Sequence, residues 1–428
     1  MEVEFSYLVK LDPNRDQEQA FGRWAGCARF IYNWSLGQDR DNYRNGAKKI
    51  PGHAKRCAQY KLLKKTHPWL QEPSDWVCQQ KLRDLCKAWQ NFFNDRKKKQ
   101  QNPRYKMHFR PPTFKKKTKS KDSFRIQRDF KVDIGTQRVC LPKLGWVKFF
   151  GKFRNKRRRK TQRVFEGVPS SVTVSKKAGG WYASILVKRD IEISENNGSP
   201  IGLDLGIKTT ITTSDGDFFN SPKAFKKYMR RLGREQRRLS RKQRGSRNRQ
   251  KQRLKVAKVY KQVSDSRSDW LHKVTTSLAK NHSQVWVEDL AVKNMVRNRK
   301  LARSILDESW GRLRLMLEYK CKWYGSKLGV VDRWYPSSKT CSNCGCVKEN
   351  LDLSERTYYC DHCGFGVDRD LNAARNILVY GTGGQSGTRS IDLDACGDRV
   401  RPKSSRQWSL KQEPARNRKR VETLATSN

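Results

Sequence analysis

The chain has 428 residues, in which 94 Lys and Arg stand against 41 Asp and Glu, a formal charge of +53. A single core stops growing near about 250 residues, so more than one domain is expected. With 35% hydrophobic residues, 13 Trp and 17 Phe there is enough apolar material for packed cores, which excludes wholesale disorder. No run approaches the roughly 18 apolar residues of a membrane span. The opening MEVEFSYLVKLDP is acidic and lacks an apolar h-region, so the expectation is a cytoplasmic, nucleoid-associated protein that is not secreted. Its 12 Cys are then expected as reduced thiols. Self-repulsion on this scale calls for a polyanion, and nucleic acid fits better than a membrane because no single amphipathic helix concentrates the aromatics.

In chain order, VEFSYLVKL (3–11) alternates and predicts a short strand. From Asp16 to about Asp95 the pattern is helical. Phe21, Trp24, Ala25 and Ala28 recur at three and four, followed by Phe30, Ile31 and Trp34. A second stretch carries Val77, Leu82, Leu85, Trp89, Phe92 and Phe93, with Pro73-Ser74-Asp75 as its start and Gln79, Gln80, Lys81, Arg83 and Lys87 on its polar face. A basic, proline-punctuated connector covers 97–121. The segments DSFRIQ, KLGWVKFF, SVTVSKK and WYASILVKR predict strands of a small barrel or sandwich, which the first strand can join with the helical segment inserted between. IGLDLGIKTTITTSDGDFF predicts three strands with a turn at Ser214-Asp215-Gly216. A basic helical tract from about Lys223, the strand SQVWVEDL, a helix near 303–327, the strand GVVDRWY and the helix DRDLNAARNILVY follow. Beyond Gly381 the Gly/Ser-rich and then basic tail is expected to be disordered.

Two constellations carry chemistry. Cys341-Ser-Asn-Cys344 and Cys360-Asp-His-Cys363 are matched C-x2-C pairs, each followed by a glycine, and this spacing builds a closed, structural four-sulfur zinc site. Cys346 and His362 lie nearby but break the symmetry of the pairs. Three acids stand at the ends of regular elements: Asp204 within GLDLG, Glu288 closing VWVE, and Asp370 opening DLNAARNIL. A carboxylate in a buried strand is costly unless a cation meets it, and three acids converging from separate segments would hold divalent metal. Asp289 competes with Glu288, and alternation along the strand leaves that choice open. Asp368 competes with Asp370, but Asp370 shares a helical face with Ala373, Ala374 and Ile377, which turns Asp368 away as a cap.

From Lys223 to Lys258 there are 17 Lys and Arg and one acid, Glu235. Solvated helix faces mix signs, so a phosphate backbone beside this tract is expected, with Arg237, Arg238, Arg241, Lys242 and Arg244 among its contacts.

GLDLGIKTTITTSDG, VWVEDL, SSKTCSNCG, YYCDHCG and DRDLNAARNIL, with FGRWAGCARFIYNWSL, LPKLGWVKFF and RLSRKQRGSRNRQKQRLKVA, resemble the TnpB family of transposon-encoded nucleases over about residues 1–380. The resemblance implies an RNA-guided DNA endonuclease related to small type V CRISPR effectors, with guide RNA and double-stranded target DNA as partners. It implies an α+β multidomain fold: a wedge-like β-barrel (1–14 and 105–195), an inserted helical recognition domain (15–104), a RuvC nuclease domain of RNase H fold (196–335 and 366–380) and an inserted zinc ribbon (336–365). Asp204, Glu288 and Asp370 then form the catalytic triad holding two Mg2+ ions about 4 Å apart, and the four cysteines hold one Zn2+. Reading of a short motif beside the target falls to the helical domain and barrel, with Gln79, Gln80 and Lys81 as candidates. The alternatives are a non-cleaving RNA-guided DNA-binding protein, a nuclease without a guide, and a CRISPR effector distinguished by genetic setting alone.

Overall fold

In the computed structural model of the chain the described residues are 1–46, 50–117, 120–150, 167–352 and 354–383. The expected tail falls outside them from residue 384 onward.

The first sheet has seven strands: β1 (Glu2–Asp12), β2 (Ser123–Ile126), β3 (Lys131–Asp133), β4 (Arg138–Leu141), β5 (Gly145–Phe150), β6 (Val168–Lys177) and β7 (Gly180–Asp190), in the order β2-β6-β7-β1-β5-β4-β3. Every pairing is antiparallel. In sequence, β1 is separated from its sheet partners by three helices, α1 (Arg15–Arg44), α2 (His53–Thr66) and α3 (Asp75–Gln101). A capping box starts α1, with the Gln17 N–H on Asn14 Oδ1 at 2.8 Å and the Asn14 N–H on Gln17 Oε1 at 3.2 Å. Phe21 and Trp24 of α1 and Val77 of α3 then enter the core formed by Phe124, Val147, Phe149, Val174 and Ile185. The rings of Phe21 and Trp24 lie 5.8 and 5.5 Å from that of Phe124. The expected small barrel or sandwich is an open half-barrel. Its edge strands β2 and β3 do not pair with each other among the described residues, because helices, not further strands, cover its apolar face.

The second sheet has the order β10-β9-β8-β11-β12, built from β8 (Ile201–Asp204), β9 (Ile211–Thr213), β10 (Phe218–Phe219), β11 (Gln284–Glu288) and β12 (Lys327–Val331). The first three strands pair antiparallel, while β8, β11 and β12 run parallel. The expected basic tract is a hairpin, α4 (Ala224–Ser240) and α5 (Arg247–Asn281), turned at Gly245 with φ 87°. The helix expected near 303–327 is two, α7 (Ala302–Glu308) and α8 (Trp310–Trp323), broken at Ser309 with φ 61°; a one-turn α6 (Val292–Met295) precedes them. α5 and α8 cover one face, packing Leu271, Leu278, Leu313 and Leu317 on Ile201, Leu203, Val285 and Val287.

The other face takes the last helix, α9 (Arg369–Gly381). Gly202 lets α9 rest directly on β8: a Cβ there would lie 2.2 Å from the carbonyl oxygen of Ala374. Trp286, pointing to this same face, fills the space left by two more glycines, since a Cβ on Gly329 or Gly381 would come within 2.1 Å of its ring. A two-stranded ribbon, β13 (Thr357–Tyr359) with β14 (Gly366–Asp368), leads into α9.

Candidate active site, zinc centre and nucleic-acid interface

Asp204 ends β8 and Glu288 ends β11. The strands are parallel, with Leu203 opposite Val287, so the two carboxylates emerge side by side. Alternation sends Val285 and Val287 into the α5–α8 core and leaves Trp286 and Glu288 on the α9 side. Asp370 arrives in the first turn of α9. The cap is Asp368, whose Oδ1 accepts from the N–H of Asp370 at 3.0 Å and of Leu371 at 3.1 Å. The Asp370 carboxylate faces the loop after Asp204: a Cβ on Gly206 would lie 3.9 Å from its Oδ2.

Burial, then the charges of Glu288 and Asp370, push the Asp204 carboxyl well above the ordinary carboxylate range. The three are neighbours around a gap, not a closed cage. Among the described residues, the sets with all ligand atoms within 4.8 Å of one another consist of cysteine and histidine. Asp289 is turned elsewhere. Its carboxylate takes Arg314 Nη1 at 2.6 Å and Arg333 Nη2, and the Arg314 bond foremost holds its pKa below the usual value. Asp289 is thus ion-paired by two arginines, whereas on Asp204 the opposing charge of Arg369 is outweighed by burial and the neighbouring carboxylates.

The sequence reading missed the side chains that hold this arrangement. Ser337 Oγ donates to Glu288 Oε1. Asn376 Nδ2 donates to the carbonyls of Ser337 and Thr340 at 2.8 and 2.6 Å, and Asn372 Nδ2 to that of Thr340 at 2.6 Å. Asn372 Oδ1 accepts from the N–H of Ser342 at 2.9 Å. Both asparagines are buried, on the helix that carries Asp370. Two amides one turn apart on an otherwise apolar face were the available signal, since buried amides are retained where they satisfy backbone.

Ser342 opens directly onto the first cysteine pair. Cys341 and Cys363 sulfurs stand 3.7 Å apart and Cys344 and Cys360 sulfurs 3.6 Å. A sulfur tetrahedron with metal bonds of about 2.3 Å has edges of about 3.8 Å, so the four-cysteine cluster fits a structural zinc site. Gly345 and Gly364, at φ 78° and 70°, turn the chain after each pair. Burial pushes the Cys344 thiol up to about 12, while the backbone N–H of Phe365 foremost draws Cys363 down to about 6. Cys346 and His362 do approach Cys344, but that set has three donors and shares Cys344 with the four-sulfur set.

On the basic hairpin, Arg237, Arg238, Arg241, Lys242 and Arg244 are all exposed. The lone acid is spent inside: Glu235 is buried, with Gln252 Nε2 on its Oε2 at 2.6 Å. Arg249 is spent as well, closing the turn onto the carbonyls of Leu239 and Lys242 at 2.8 Å each. Arg238 still reaches Glu235 Oε1 at 3.3 Å, and from Lys223 to Lys258 every other exposed charge is cationic; acids return only at Asp265 and Asp269 farther along α5. In α3 the expected polar face is only partly one. Gln80 is 3% exposed and donates to Gln127 Oε1 at 2.6 Å, so the sheet contact of α3, and not solvent, claims it. Gln79 is half-buried, and Lys81 reaches Asp84 at 3.1 Å.

Three family profiles match: the OrfB_IS605 family, described as a probable transposase, over residues 184–299; the Cas12f1-like TNB domain over 310–377; and the OrfB_IS605 helix-turn-helix domain over 1–48. A Streptomyces pristinaespiralis protein with the provisional name RNA-guided DNA endonuclease is 38% identical over 425 residues, 97% of each chain. The InsQ protein of Escherichia coli K12, under the same provisional name, is 34% identical over 427 residues, covering 96% of this chain and 97% of its own. Among solved structures, a Cas12f1–sgRNA–target DNA complex shares the fold with a TM-score of 0.51 at 15% identity, covering 85% of this chain and 83% of that one. No helix among the described residues is long and apolar enough to cross a membrane. The chain belongs to the TnpB family.

Proposed function

We propose that the chain is a transposon-encoded RNA-guided DNA endonuclease that cuts at Asp204, Glu288 and Asp370. One observation carries the reading: three carboxylates from β8, β11 and α9 come together on one sheet face, where burial and the charges of Glu288 and Asp370 on Asp204 outweigh the opposing charge of Arg369. That donor set, all hard oxygen and short of positive charge, suits Mg2+. Two bound Mg2+ would supply an activated water and a stabilised leaving oxygen for phosphodiester hydrolysis. Asp204, Glu288, oriented by Ser337, and Asp370, presented by the first turn of α9, would be the residues that hold them.

The half-barrel with residues 105–122 serves as the wedge domain, residues 15–104 as the recognition domain, 196–335 and 366–380 as a RuvC-type nuclease, and 336–365 as the zinc ribbon. Guide RNA and double-stranded target DNA are the partners, met in the cytoplasm at the nucleoid. The guide reads the target by base pairing, and Gln79 and Lys81 remain candidates for the adjacent motif.

The test is to sequence the RNA that copurifies, exchange its guide segment, and supply Mg2+ with matched and unmatched DNA. The cut is expected to follow the guide. Cutting that survives RNase treatment identifies a guide-free nuclease, and an inert wild-type complex identifies a binder. The hairpin has its own test. Replacing Arg237, Arg238 and Arg241 by Gln is expected to weaken guide RNA binding and to reduce the log–log salt slope by about 2 to 3, close to one for each phosphate that is no longer neutralised. An unchanged slope places the RNA elsewhere.

A further inference from the structure

The turn between β12 and the zinc ribbon, residues 332–337, is fixed on both sides of one side chain that touches almost nothing. On one side Arg333 donates through Nε to the carbonyl of Asp289 at 2.9 Å and through Nη2 to its carboxylate. On the other, the Tyr335 ring lies 4.4 Å from that of Tyr380, and Ser337 donates to Glu288. Between them the Trp334 N–H donates to Asp332 Oδ1 at 2.8 Å, so the backbone is also held. Yet the Trp334 side chain is 85% exposed, the most exposed large hydrophobic among the described residues. Its ring has no ring or cation partner among them.

An indole offers about 150–250 Å² for burial, and leaving that in water on a rigid turn forgoes a large favourable term. Trp286, on the neighbouring strand, shows the alternative, since this fold gives up two side chains to enclose it. We propose that Trp334 is a stacking platform for an unpaired base of the DNA strand led to the Asp204–Glu288–Asp370 centre. The inference rests on the nuclease reading above and adds a substrate contact to it.

Three features select a nucleic-acid base as the occupant. The turn is bonded at one end to Asp289 and at the other to Glu288, so Trp334 is carried three residues from the serine that holds a carboxylate of the centre. The protein's charge of +53 favours a polyanion over an apolar or basic protein partner. Stacking on a π-face also accepts any base, which suits a centre whose sequence choice is made by guide pairing.

The experiment uses the full chain with its guide RNA and a matched DNA carrying 2-aminopurine at successive positions around the cut. In an Asp204→Asn background, fluorescence is expected to be quenched at one or two positions and recovered with Trp334→Ala. In the otherwise native chain, Trp334→Ala is expected to raise the DNA concentration for half-maximal cutting about tenfold, the scale of removing one stack. Trp334→Phe should restore most of it, with melting of the free protein unchanged. Quenching that is identical in Trp334→Ala, unaltered half-maximal concentration, or a loss that Phe fails to rescue and that tracks lowered melting overturns the proposal. If Asp204→Ala itself still cuts, the nuclease reading fails instead.

Discussion

Asp204→Asn is expected to abolish target cutting, by about a thousandfold or more, while the complex with guide RNA and target still assembles and the free protein becomes more stable. On the proposed reading the loss follows from removing one of the three carboxylates that would hold the metal; metal-ion stabilisation is worth several kcal/mol, and each 1.4 kcal/mol is about tenfold. The gain in stability follows from the same geometry. Burial and the carboxylates of Glu288 and Asp370 raise the Asp204 pKa in the folded chain, so its ionisation opposes folding. That penalty is absent below the unfolded carboxylate value of about 3.9 and grows as pH rises above it, until the folded carboxyl ionises. Asparagine keeps the shape without the charge. The gain is expected to appear as a higher melting temperature at neutral pH that shrinks toward pH 4. Mg2+ should raise the melting temperature of the native chain and not of the variant. A variant that cuts at the native rate would show the chemistry to lie elsewhere.

The Asp289 pair is the informative contrast. Both Glu288 and Asp289 follow the same apolar strand, and no property of that strand distinguishes them. The distinction comes from Arg314 on α8 and Arg333 after β12, which reach Asp289 from 25 and 44 residues away and neutralise it. A carboxylate with two arginines is poorly available to a cation, whereas Glu288, which among the described residues takes a serine hydroxyl and no arginine, is better placed to meet one.

Local chemistry makes much of this legible. The cysteine pairs announce their cluster because zinc ligation is a short-range code of spacing and turn glycine. Strands β1, β7, β8 and β11 and the first turn of α9 are legible because apolar alternation and a capping aspartate are local too. What stays hidden is non-local. Phe21 and Trp24 read as helix core, but nothing in their spacing says that they cap a sheet and leave it open. Gln80 reads as solvent-facing because the pattern of α3 cannot reveal that Gln127 approaches it. The break of the basic tract at Gly245 is masked because the charge run is continuous across it. Ser337, Asn372 and Asn376 act through backbone carbonyls, which no composition displays.

Those last three residues give the second large effect. Cys360→Ser is expected to remove the zinc and to reduce cutting by about 10- to 100-fold, the usual cost of losing outer supports of a metal site, while guide RNA binding persists. Zinc binding is folding energy for a ribbon this small: β13 and β14 pair over three residues each, and the local core is little more than Tyr358 and the cysteines. Freed of metal, the segment holding Thr340 to Ser342 loosens, and with it the carbonyl and N–H that Asn372 and Asn376 bind. Ser337 then no longer fixes Glu288, and the helix bearing Asp370 loses its clamp. The α4–α5 hairpin packs through Leu232, Val256 and Val259 in a separate cluster, so its cationic side is untouched. Ser337→Ala separates the two causes, since it breaks the path at Glu288 with zinc retained and should reproduce part of the loss. Metal analysis, cleavage rate and RNA affinity measured together decide the matter. Full cutting by a zinc-free Cys360→Ser protein would show that the ribbon does not position the carboxylates.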